Sequence, residues 1–171
     1  MPSLVGSEMC IRDRHYYALA VETHELVGGL PLALDIVGAL IRELGDWDCI
    51  VSWLRKEHSR LEGLELADRS VRAAFNVSYQ QLEKEQRGLF RALGVLRRGA
   101  SSSANLIKAI WNFDSIEHTE IQLSRFVRRS LVESEIQVTG SRRYVLHPLL
   151  TDYARELLDE AEAAEYQKRM D

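Results

Sequence analysis

A chain of 171 residues that is 46% hydrophobic and 28% charged has enough apolar material for one ordinary core or two small ones. Its net charge of −4 gives no overall pull toward nucleic acid or anionic lipid, and charges interrupt every apolar run short of the roughly 20 residues of a membrane span. Its two cysteines, Cys10 and Cys49, exclude a disulfide framework and a cysteine-rich zinc site, and make a reducing cytoplasm the expected compartment.

Residues 1–14 stand apart. Ser3 to Arg14 resembles the translation of a transposon adapter used to build sequencing libraries. That stretch is set aside from the fold as an adapter-derived artefact. The expectation is that the protein's own sequence upstream of His15 is missing.

From His15 to Leu26, Tyr16, Leu19, Ala20, Thr23 and Leu26 recur at helical spacing, with Val27 just beyond. Gly28-Gly29 ends that helix, because glycine takes the left-handed conformation at a helix end without steric cost. Pro31 suits the first position of the next helix, where its missing N–H is no loss. Leu32 to Leu44 predicts a helix with Leu34, Val37, Ile41 and Leu44 inward and Leu40 near the edge; Gly38 and Ala39 are small enough for close helix approach. Gly45-Asp46 makes a turn. Asp46 or Asp48 can cap a third helix to about Leu61, which buries Ile50, Trp53, Leu54 and Leu61. Gly63 to Asp68 reads as a connector.

A second block starts near Ser70, where Val71, Ala74, Phe75, Val77, Ser78 and Leu82 give one amphipathic helix. Lys84 to Leu96 gives another, with Leu89, Phe90, Leu93 and Leu96 inward. Gly99 to Ser103 reads as a small-residue loop, Ala104 to Trp111 as a short helix, and Thr119 to Leu131 as a helix built on Ile121, Leu123, Phe126 and Val127. The period then changes. Val132–Val138 and Arg142–Leu146 alternate like strands about Thr139-Gly140-Ser141, a hairpin signal. After Pro148 the helical period returns through Leu149, Tyr153, Ala154, Leu157 and Leu158, and the tail from Glu160 can continue into a further helix.

Helices followed by a hairpin and a last helix match the winged-helix order. The predicted architecture is mainly α: a small helical bundle over 15–66, then a winged-helix domain over 67–160 with a β-hairpin wing. Residues 161–171 are expected to be a helical tail or the start of a next domain. No internal repeat or low-complexity tract interrupts this order.

Three stretches stand out as motifs. The first is Gly28-Gly29-Leu30-Pro31-Leu32-Ala33. The second runs from Ser70-Val71-Arg72-Ala73-Ala74-Phe75 through Leu82 to Arg87-Gly88-Leu89-Phe90. The third is Tyr144-Val145-Leu146-His147-Pro148-Leu149-Leu150-Thr151-Asp152-Tyr153-Ala154. In order and approximate spacing they resemble the NB-ARC family of STAND signalling ATPases, over essentially everything after residue 14. The first is similar to that family's Gly-Leu-Pro turn, the second to the opening of its winged-helix module, and the third to its Met-His-Asp signature.

The resemblance implies an ADP/ATP-dependent regulatory switch. The nucleotide and its magnesium would be held by an upstream nucleotide-binding domain, and this fragment alone would hold no cofactor strongly. The implied partners are that upstream domain and downstream sensor repeats, with homo-oligomerisation on activation and no membrane. Pro31 is the implied adenine contact, presented by the turn through Gly29 and Leu30; a rigid apolar ring offers a base a flat surface with little entropy left to lose. His147 is the implied contact to the β-phosphate, since an imidazole N–H donates to phosphate oxygen. Two flanking residues depart from the pattern. Leu146 stands for methionine, and Pro148 stands for an aspartate whose carboxylate could orient the histidine.

No catalytic residue and no metal-ligand set is nominated. The chain has no Gly-Lys-Ser/Thr phosphate loop, so it is expected not to hydrolyse ATP, whereas the full-length protein is expected to be a slow NTPase. Leu30 to Asp35 resembles an apolar strand ending in a magnesium-binding aspartate, but Pro31 argues against a central strand. The histidines lack ligand spacing, and no Gly-x-Ser-x-Gly elbow is present.

A rival reading comes from the winged helix itself. Arg125, Arg128, Arg129, Arg142 and Arg143 could contact DNA phosphates, as in a transcriptional regulator. Glu117, Glu120, Glu133 and Glu135 surround them, however, and mixed charge usually means a solvated, salt-bridged face. A third alternative is a non-catalytic interaction adaptor.

Overall fold

Glycine, proline and aspartate punctuate the first half of the chain and decide where its helices stop and start. A computed structural model describes the backbone of residues 5–170 and the side chains of residues 13–170. The adapter-like stretch therefore lies in part outside the described residues. The chain divides into two compact units, Met1–Ser78 and Tyr79–Asp171.

Helix α1 (Val5–Leu26) ends at Gly28 and Gly29, whose φ angles of 62° and 63° reverse the chain. Helix α2 (Pro31–Leu44) begins on the proline, and α3 (Trp47–Arg60) begins where the Asp46 side chain accepts a hydrogen bond from Cys49 N at 2.9 Å. Helix α4 (Leu66–Gln80) closes the unit. Val27, Ala33, Val37, Leu40, Ile50, Leu54, Ala73, Ala74 and Val77 form the shared core. Trp47 Nε1 donates to Thr23 Oγ1 at 2.9 Å, and a Glu22–Arg55 ion pair also joins α1 to α3.

Two expectations for this unit need correction. Helix α2 is rotated from the predicted face: Leu40 is 1% exposed, Leu44 is 42% exposed, and Leu34 and Ile41 are only partly buried. Asp35, Arg42 and Glu43 mark the polar side, and the buried stripe opposite them runs through Ala33, Ile36, Val37 and Leu40 rather than through Leu34 and Ile41; the small Ala39 also turns inward, and Gly38 faces open space. Helix α4 starts four residues ahead of Ser70. Its first residue, Leu66, is exposed, and the Arg69 guanidinium ties down the carbonyls of Glu62 and Leu64 at 3.0 Å each.

The second unit contains α5 (Lys84–Ala92), a 3-10 turn (Leu93–Val95), β1 (Ser101–Ser103), α6 (Ala104–Trp111) and α7 (Ile116–Arg128). It continues with β2 (Glu133–Ile136), β3 (Arg142–Val145), α8 (Pro148–Glu156) and α9 (Glu160–Lys168). The strands form an antiparallel sheet in the order β1-β3-β2, with Ser101 opposite Val145 and Glu135 opposite Arg143. The whole is mainly α, and this unit is winged-helix-like, with the β2–β3 hairpin as its wing.

Its core is aromatic. Phe90 packs against Tyr79, Phe126 and Tyr153 with ring centroids 5.9–6.3 Å apart, and Trp111 Nε1 donates to the Leu89 carbonyl at 2.9 Å. The 3-10 turn lies hard against α8: a Cβ on Gly94 would sit 2.6 Å from the backbone nitrogen of Arg155, whose side chain binds the Gly94 and Leu96 carbonyls at 3.1 Å. Three expectations are corrected here. Ser101–Ser103 is a strand, not a loop. The predicted helix Lys84–Leu96 gives way to the 3-10 turn after Ala92. Helix α7 starts at Ile116, because Ser115 accepts from His118 N at 3.2 Å, and it buries Thr119 and Gln122 while Ile121 is 53% exposed. Thr119 goes inside because its hydroxyl is satisfied by the Ser115 carbonyl at 3.0 Å, and the Gln122 amide nitrogen lies 3.2 Å from His118 Nε2.

Candidate functional site

The turn between α1 and α2 is built from backbone hydrogen bonds. Gly29 N donates to the His24 carbonyl at 2.9 Å, Gly28 N to Glu25 at 3.1 Å and Leu30 N to Val27 at 3.2 Å, which satisfies the last carbonyls of α1. Leu30 then runs extended (φ −75°, ψ 124°) into Pro31 at the first helical position. The Pro31 ring is exposed, and Leu30 and Gly29 are half-buried. No side chain of the Leu30 cap bonds the start of α2 and no acid sits in its first turn, so neither its own cap residue nor its first turn compensates the positive end of the helix dipole. A Cβ on Gly29 would sit 2.8 Å from His24 Nε2, so the turn admits no side chain at that position without movement of the histidine.

His147 is positioned by a different device. It is the N-cap of α8, and its Nδ1 accepts from Leu149 N at 3.2 Å, with Pro148 at the first helical position. Thr151 Oγ1 donates to the His147 and Leu146 carbonyls at 3.3 and 3.5 Å. With Nδ1 engaged as an acceptor, the neutral ring carries its proton on Nε2, which leaves one N–H donor. Leu146 is buried at 4% exposure and Pro148 continues the cap. The ring is thus oriented by the Leu149 amide.

Gly29, Leu30 and Pro31 are brought together in one turn of the first unit, whereas His147 belongs to the second. The arginines of the rival reading are dispersed in environment. Arg128 and Arg142 are exposed, Arg125, Arg129 and Arg143 are half-buried, and Arg143 faces Glu135 across the hairpin. Among the described residues no group of three or more His, Cys, Asp or Glu side chains could hold a metal ion, and no helix is long and apolar enough to cross a membrane.

One polar pair escaped sequence reasoning. His58 Nε2 lies 3.4 Å from Ser70 Oγ beneath the glycine turn. Burial pushes its pKa below the ordinary value, the Arg69 guanidinium adds to that, and a hydrogen bond to the Leu26 backbone opposes both. Nothing in the spacing of residues 58 and 70 signals a contact that only the packing of α3 on α4 creates.

No protein-family model matches the chain. It is similar to apoptotic protease-activating factor 1 of Danio rerio, at 30% identity over 83% of this chain and 11% of that protein. It is similar to the regulatory protein AfsR of Streptomyces coelicolor, at 31% identity over 93% of this chain and 15% of that protein. A third similarity is to the disease resistance protein RPP4 of Arabidopsis thaliana, at 26% identity over 81% of this chain and 10% of that protein. The chain therefore spans between 10% and 15% of the length of these relatives. At this low identity, the three similarities support the NB-ARC/STAND-type signalling family that the motifs resemble.

Proposed function

We propose that the chain is the helical and winged-helix portion of an NB-ARC/STAND switch whose state is set by ADP or ATP. The observation that carries this reading is the near end-to-end similarity, 81–93% of the chain, to an apoptotic factor, a bacterial regulator and a plant resistance protein. Residues 15–66 act as the helical module and 67–160 as the winged-helix module. Pro31 lies against the adenine ring, with Gly29 and Leu30 shaping the turn, and His147 donates its Nε2–H to the β-phosphate of ADP. The nucleotide, with magnesium, is held mainly by a nucleotide-binding domain outside this chain, and any slow NTP hydrolysis belongs there.

Two features support these roles. The exposed proline ring sits at a turn fixed by the three amide hydrogen bonds at Gly28, Gly29 and Leu30, and the histidine has one nitrogen engaged and one free to donate. ADP can hold such a switch closed only by binding the closed state more tightly than the open one. The test is ADP dissociation from the full-length protein. His147→Ala is expected to speed release about tenfold, as loss of one charge-assisted hydrogen bond would, and to raise basal activation. Pro31→Ala should speed release by a smaller factor. Unchanged ADP dissociation in both variants would sink the reading. DNA contact finds less support, because Glu133 and Glu135 line the same hairpin as Arg142 and Arg143.

A further inference from the structure

One carboxylate of the third motif has no part in the nucleotide reading. Asp152 is half-buried in the second turn of α8, the helix that His147 caps. Its Oδ2 accepts from Arg98 Nε at 3.0 Å, and its Oδ1 lies 3.8 Å from a terminal nitrogen of Arg155. Pro148 and Asp152 are four residues apart, so they lie one above the other on a single face of α8. The turn over residues 97–100 meets both. There Ala100 N donates to the Arg97 carbonyl at 3.0 Å, Gly99 takes a left-handed φ of 68°, and a Cβ on Gly99 would sit 3.5 Å from Pro148 Cγ. Pairing of Ser101 with Val145 brings this turn to the end of β3 from which His147 departs. The two halves of α8 are therefore held differently. Close packing on Gly94 fixes the half that carries Arg155, whereas the Pro148–Asp152 face is gripped by one apolar contact and one ion pair.

We propose that Asp152 is a positioning residue for His147: paired with Arg98, it holds the first turn of α8 against residues 97–100 and so fixes where the histidine Nε2–H points. The consequence for the nucleotide rests on His147 being the β-phosphate contact. The link from carboxylate to ring is short. The imidazole is oriented by the Leu149 amide, and the Thr151 hydroxyl donates to the His147 carbonyl, so the ring follows the first turn of α8 wherever that turn is held. The side chains of Arg98 and Asp152 are 57% and 38% exposed, which places their pair among the weaker ion pairs and sets the expected effect at a few-fold. Charge alone predicts the opposite sign. Removing a carboxylate near a bound phosphate lessens repulsion and should slow ADP release, whereas loss of positioning should speed it.

The experiment compares wild type, Asp152→Ala, Asp152→Glu, His147→Ala and the double variant Asp152→Ala/His147→Ala in the full-length protein. It reads hydrogen-exchange protection of the peptide covering residues 146–152, the ADP dissociation rate, and the affinity for adenosine, which carries no phosphate. Asp152→Ala should lower protection and speed ADP release, each by about threefold, and leave adenosine binding unchanged. It should add nothing once His147 is alanine, and Asp152→Glu should stay close to wild type. Arg98→Ala gives the same comparison if Asp152→Ala does not fold. Unchanged protection in Asp152→Ala would overturn the proposal. So would an effect on ADP release that is absent while His147→Ala speeds it, or one that persists in full without the histidine. If protection follows Asp152 but ADP release follows neither Asp152 nor His147, the clamp on α8 stands and the assignment of His147 to the phosphate falls.

Discussion

The two units solve the same problem, holding a turn in place against a helix, by opposite means. In the first unit the core is aliphatic and small, with Ala33, Ala73 and Ala74 fully buried, and the turn that matters is fixed by left-handed glycines and a polar pair below them. In the second, large rings fill the core and the critical turn is pressed against the backbone of α8, with no room for a Cβ at Gly94. The first arrangement can loosen by breaking hydrogen bonds. The second can only be broken by displacing a helix, because close-packed interiors do not deform continuously.

That contrast makes its sharpest claim at the glycines. Gly94→Ala would force backbone atoms of Arg155 and Ala154 apart and is expected to cost about 3 kcal/mol or more in urea-induced unfolding of the second unit, followed by Trp111 fluorescence. Gly29→Ala meets only the flexible end of His24, so its cost should be mainly that of a non-glycine residue at φ 63°, about 1–2 kcal/mol. If the two substitutions cost the same, the distinction between a packed turn and a hydrogen-bonded turn is wrong. Smaller still is the loss of a cap. Asp46→Ala removes the bond to Cys49 N and should destabilise the first unit by about 1 kcal/mol, measured by the same unfolding experiment on Trp47 and Trp53.

Local chemistry made much of this legible. The Gly28-Gly29 stop, Pro31 at a helix start, the Asp46 cap, the Ala104–Trp111 helix and the hairpin about Gly140 could all be read because each depends on residues a few positions apart. What could not be read depends on distant partners. Ser101–Ser103 has no apolar alternation, and becomes a strand only because β3 supplies its hydrogen bonds. The burial of Thr119 in place of Ile121 reflects a hydrogen bond to the Ser115 carbonyl that hydropathy does not weigh, whereas Gln122 is buried with its amide nitrogen beside His118 and its amide oxygen unpartnered. At the candidate site the same division holds. The turn itself was visible in the sequence, whereas its support by His58 and Ser70, twelve positions apart on different helices, was not.

The sheet of the second unit has a consequence for how this molecule behaves in a crowded solution. Its two outer strands are β1, three serines, and β2, four exposed residues with Glu133 and Glu135 among them. Unpaired strand edges are templates for runaway association, and short hydrophilic or charged edges are how natural proteins blunt them. Neither border here offers a foreign strand an apolar partner of useful length. Self-association of this unit by sheet extension is therefore disfavoured from both sides, and contacts between copies are left to the surfaces of its helices and loops.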